Sequence, residues 1–98
     1  MTESADTSSE AVEAAKKLTI VVVDGEGDTK DVIENEHGTL KHLLRKGLKE
    51  LIGDHADPAE YDLLIGGTIQ ENLEETLVKA GLKDGSEVVI LSKDVSRG

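Results

Sequence analysis

Few residues in this chain are of a type and spacing that could do chemistry. Three histidines, His37, His42 and His55, are scattered over a strand end, a helix and a loop, with no carboxylate at ligand spacing. Solvated histidines of this kind are commoner than metal ligands or general bases. Asp24, Glu26 and Asp28 alternate in "DGEGDTKD" as the opening of a calcium loop would. Such a loop needs glycine at its sixth position and a bidentate Glu at its twelfth, and here Thr29 and Asn35 stand there. A hairpin turn accounts for the stretch better. Gly66-Gly67-Thr68 lacks the Gly-Lys-Ser/Thr ending of a phosphate loop, and nothing local suggests a Ser-His-Asp arrangement. The chain contains no cysteine, which excludes disulfides, thiolate metal sites, iron–sulfur clusters and a thioester on a cysteine of its own. The sequence therefore predicts no catalytic residue, no metal site and no cofactor: a protein that is not an enzyme.

The elements that could position a non-catalytic function are compact. Ninety-eight residues make one small domain at most. The core must be almost wholly aliphatic, because Tyr61 is the one aromatic. Net charge is −10, from 21 acidic against 11 basic residues. Such a chain repels phosphate backbones and anionic headgroups, so neither nucleic acid nor membrane is expected as a partner. "MTESADTSSE" has neither the basic nor the apolar region of a signal peptide, and no apolar stretch nears the ~20 residues of a membrane helix. A soluble, cytoplasmic protein is the expectation.

Residues 1–17 are rich in Ser, Thr, Ala and charge and read as a disordered acidic arm. The domain is expected over 18–91. "LTIVVV" is a strand by its β-branched density, with Leu18, Ile20 and Val22 on one face. "DGEGD" turns it into a weaker strand, "TKDVIENE". Thr39 is the N-cap of a helix whose Leu40, Leu43, Leu44, Leu48, Leu51 and Ile52 form one apolar stripe. Gly47 in mid-helix marks close packing on the sheet, and Gly53 the helix stop. "YDLLI" is a third strand ending at Gly66-Gly67. "QENLEETLVKAG" reads as a crossing segment with a short helical turn, pinned by Leu73 and Leu77. "VVIL" is the final strand, followed by Ser92–Gly98 as a flexible tail. A hairpin, one amphipathic helix and further strands pack as an α+β fold: a mixed four- to five-stranded sheet over one helix, with first and last strands parallel. That order is the β-grasp arrangement.

At this point the chain resembles ubiquitin and its relatives, from about Leu18 to Gly98. "YDLLIGG" is similar to the stretch where ubiquitin-like chains run a strand into a glycine turn. "ETLVKAGLKDGSEVVIL" is similar to their threonine-leucine, crossing segment, turn and last strand. The ending Arg97-Gly98 also resembles that of ubiquitin, with one glycine where the family typically has two.

The resemblance implies a protein modifier, possibly of a bacterial conjugation system. Its C-terminal glycine carboxylate, here Gly98, would be adenylated by an activating enzyme, passed to an enzyme thiol and joined to a target amine through an isopeptide bond. Glycine suits the task because a narrow channel can enclose it and nothing crowds its carbonyl. Val95, Ser96 and Arg97 would then contact the activating enzyme as an extended, threadable leash, Arg97 through a charge-assisted bond to an acidic group. The partners implied are activating, conjugating and deconjugating enzymes and a covalent target protein. By the same resemblance Leu64, Val89 and Leu91 fall where ubiquitin places its apolar reader-binding patch. Alternation supports an outward direction for them, opposite Leu63, Ile65, Val88 and Ile90. Two other functions stay open on this scaffold. One is a non-covalent interaction module using that face or an open sheet edge, and the other is a sulfur carrier with a C-terminal thiocarboxylate.

Overall fold

The computed structural model describes residues 16–98. In chain order the elements are β1 (Lys17–Val23), β2 (Thr29–Asn35), α1 (Leu40–Leu51), a 3-10 turn (Pro58–Glu60), β3 (Tyr61–Ile65), β4 (Thr68–Ile69), β5 (Glu87–Ser92) and α2 (Lys93–Ser96). The acidic arm expected over 1–17 lies, apart from Lys16 and Lys17, outside the described residues. Those two belong to the domain rather than to an arm. Lys17 pairs with Asn35 at the start of β1, and the Lys16 carbonyl accepts from the Glu36 N–H.

The five strands form one mixed sheet in the order β2-β1-β5-β3-β4. β1 and β2 are an antiparallel hairpin. β1 and β5 are parallel neighbours at the centre, with Val22 beside Val88. β3 runs antiparallel to β5 and to the short β4. Gly66 and Gly67 make the tight turn between β3 and β4 with φ of +58° and +81°, values that glycine adopts without the steric penalty of a side chain.

Period-two burial divides the sheet. Leu18, Ile20, Val22, Val32, Leu63, Val88 and Ile90 face inward and are buried against Leu40, Leu43, Leu44 and Leu48 of α1. The helix lies close to the sheet because Gly47 has no side chain. A Cβ there would stand 2.7 Å from Ile90 Cδ1 and 2.9 Å from Val22 Cγ1, closer than carbon atoms pack.

The crossing segment completes the start of α1. Thr39 Oγ1 accepts from the His42 N–H. The Leu40 and Lys41 N–H groups, orphans of the first helical turn, donate to the carbonyls of Glu75 and Leu73. The expected helical turn is a single one, closed by the Ala80 N–H on the Thr76 carbonyl. Leu77 is wholly buried and Leu73 packs against the core.

Candidate functional site

Two features converge on the outer face of the sheet, away from α1. The first is aliphatic. β3 and β5 are in a register that sets Leu64 opposite Val89 and Asp62 opposite Leu91. Directly paired residues share a face, so Leu64, Val89 and Leu91 lie together, all half-buried, while Leu63, Val88 and Ile90 point into the core.

The second feature is the segment after β5. Expected as an extended leash, it instead turns at Ser92 into one turn of helix, α2, closed by the Arg97 N–H on the Lys93 carbonyl. The turn brings Ser96 and Arg97 back over β3, where both donate to Asp62. Ser96 Oγ bonds Oδ2, Arg97 Nε bonds Oδ2 at 2.8 Å, and Arg97 Nη2 bonds Oδ1 at 2.9 Å. This is the two-pronged guanidinium–carboxylate geometry, the strongest class of side-chain hydrogen bond. Nη2 also lies 3.3 Å from Oε1 of the exposed Glu71. Asp62 is only 4% exposed. The Arg97 hydrogen bonds, outweighing the cost of burial and aided by Ser96, hold its carboxyl below the usual range. The two carboxylates in turn raise the Arg97 pKa above its ordinary value.

The structure therefore separates the three tail residues proposed to meet an activating enzyme. Val95 is 69% exposed, whereas Ser96 and Arg97 are engaged within the chain. Gly98 sits against α2, where a side chain would overlap the Asp94 carbonyl. Asp62 was not singled out from sequence. It stands 35 positions from Arg97, and one acidic residue on an outward strand position is unremarkable in itself. The weak local signal is Ser92 at the cap position followed by Asp94 in the first turn, although the Ser92 side chain makes no capping bond.

Two further polar clusters lie in the hairpin turn and between β2 and α1. Asp24 Oδ1 accepts from the Glu26 and Asp28 N–H groups at 2.8 and 3.0 Å. That turn gathers the three carboxylates within 4.8 Å of one another. His42, which no nearby carboxylate in sequence appeared to serve, bonds through Nδ1 to Glu34 Oε2 at 2.8 Å. Lys46, one helical turn on, lies 3.0 Å from Glu34 Oε1. Burial alone would raise the Glu34 carboxyl, but His42 and Lys46 outweigh it and hold it low. No described helix is long and apolar enough to cross a membrane.

No family model matches the chain, and no curated protein does. Solved structures do. A ubiquitin from Caldiarchaeum subterraneum superimposes with a TM-score of 0.64 at 19% identity, over 79% of this chain and 94% of its own. A de novo design based on ubiquitin gives 0.66 at 23% identity, over 79% and 89%. An Arabidopsis thaliana protein solved by NMR gives 0.66 at 20% identity, over 82% and 90%. The fold is the ubiquitin-like β-grasp. At these identities the likeness establishes the scaffold alone.

Proposed function

We propose that this ubiquitin-like protein is a modifier rather than an enzyme, working in the cytoplasm with the carboxylate of Gly98 as its reactive group. The carboxylate attacks the α-phosphate of ATP on an activating enzyme and expels pyrophosphate. The resulting acyl-adenylate loses AMP to an enzyme thiol, and a target amine displaces that thiol to leave an amide bond. ATP and its magnesium belong to the partner, and this chain is the substrate. The observation that supports the reading is the join between a ubiquitin-like domain and a short segment that ends Arg97-Gly98. The segment leaves the central strand β5 and is tied to the domain by polar contacts from Ser96 and Arg97. Incubation with a candidate activating enzyme and radiolabelled pyrophosphate tests it. ATP–pyrophosphate exchange should depend on this chain and disappear when Gly98 is deleted. Exchange that persists without Gly98 overturns the proposal.

A second reading, a non-covalent interaction module, is favoured by the adjacency of Leu64, Val89 and Leu91 on one face. It expects Leu64→Asp to abolish partner binding while deletion of 93–98 leaves it unchanged.

A further inference from the structure

We infer that the α2 segment is an autoinhibitory latch: Ser96 and Arg97, closed on Asp62, keep the tail wound and Gly98 folded back on α2 until the latch opens. The consequence for reactivity rests on the modifier reading above, whereas the latch itself does not. Three observations carry it. Asp62 is the one buried carboxylate of the outer sheet face among the described residues, and the side chains that bond it, Ser96 and Arg97, both come from the tail. The tail is anchored by little else. None of its residues is buried, and Val95, its one large aliphatic, stays exposed. The closed form also has the wrong shape for threading. Lys93–Ser96 is wound into a helical turn, with about 1.5 Å of rise per residue instead of the about 3.3 Å of an extended strand. Gly98 lies against the Asp94 carbonyl. A channel that admits an extended glycine tail cannot accept this form.

Opening the latch is inexpensive in polar terms, because the outer face is solvent-facing once the tail leaves. Asp62 would be rehydrated rather than left as a buried orphan, and Arg97, already 43% exposed, would be freed to meet another carboxylate. The latch therefore behaves as a two-state element that a partner with better contacts to either end can bias.

The test uses the intact chain and two readouts. Backbone 15N relaxation should show the amides of Lys93–Arg97 nearly as ordered as β5, with order parameters near ~0.85, falling below ~0.6 in Asp62→Ala and in Arg97→Gln. The second variant changes only the tail and leaves the domain core untouched. The charge swap Asp62→Arg with Arg97→Asp should restore order. A broad-specificity carboxypeptidase should release Gly98 from Asp62→Ala roughly tenfold or more faster than from the native chain, the scale of a lost charged hydrogen-bond pair. A native tail as mobile and as quickly trimmed as that of Asp62→Ala overturns the latch. Pyrophosphate exchange then separates the two proposals. Faster exchange in Asp62→Ala supports gating. A mobile native tail with Gly98-dependent exchange overturns the latch and supports the modifier. An ordered tail released by Asp62→Ala, with no exchange from either chain, supports the latch and overturns the modifier.

Discussion

Asp62 and Glu34 are the two buried carboxylates of the described domain, and they lie on opposite faces of the sheet with different duties. Each has its acidity strengthened in the fold, so each contributes stability that is complete above the ordinary carboxylate pKa. That contribution is lost as pH falls through the lowered value. For Asp62, which faces Arg97, Ser96 and Lys93, the loss is local. Lowering the pH through the acid range should mobilise residues 93–98 before the sheet melts, a sequence that pH-dependent NMR line widths would follow. For Glu34 it is global, because its bonds to His42 and Lys46 join β2 to α1. Glu34→Gln should lower stability by about 1–2 kcal/mol at neutral pH, since the pairing groups are partly exposed. The difference from the native chain should shrink at acid pH, as measured by urea unfolding. Neither pairing was legible in the sequence. Periodicity assigns a residue to a face of its own element, but not to the residue of another element that will stand beside it. His42 reads from sequence as a solvated histidine and Glu34 as the tail of a weak strand, until the hairpin is laid against the helix.

At the level of elements, periodicity carried all but the ends. The aliphatic alternation of β1, β3 and β5 and the leucines of the α1 stripe fall as read, and Thr39 caps the helix. Ile52, read as part of that stripe, is instead the C-cap and is exposed. Even the mid-helix glycine was informative. A residue costing about 1 kcal/mol in propensity persists at Gly47, because Ile90 and Val22 occupy the space its side chain would need. Gly47→Ala should therefore destabilise the domain by about 1–3 kcal/mol despite the better helix former, where a propensity argument alone expects the opposite sign. A shift of the denaturant midpoint decides it. Leu77→Ala should cost more, about 2–5 kcal/mol. It empties a wholly buried site in the crossing segment that also caps α1. The element that sequence misjudged is α2. Four residues carry too little pattern for any period to register, and what holds them is not their own propensity but the Asp62 carboxylate on β3.

Over the whole molecule, a net charge of −10 sets the response to salt. Self-repulsion destabilises the compact form and is screened as ionic strength rises, so added sodium chloride should raise the melting temperature of the domain. The contact between Asp62 and the half-exposed Arg97 is an attraction and is screened by the same ions. Order in residues 93–97 should therefore fall over the same range, and calorimetry paired with 15N relaxation would show the two opposite slopes.

The parallel seam between β1 and β5 governs how the chain can be made. Val22 and Val88 are neighbours at the middle of the sheet, yet they belong to the opening and closing strands of the domain. A growing polypeptide can close its β1–β2 hairpin and wind α1 early, but the seam must wait until Glu87–Ser92 has been synthesised. Every shorter chain therefore exposes the inner edge of β1 and half of an aliphatic core. Contacts so distant along the chain slow the final collapse, and the acidic surface is then what keeps the unfinished molecule from sticking to its neighbours. Completion of the sheet and the appearance of the latch are consequently one event in time, since α2 follows β5 without a linker. The first fully folded copy of this protein is also the first one able to close its tail.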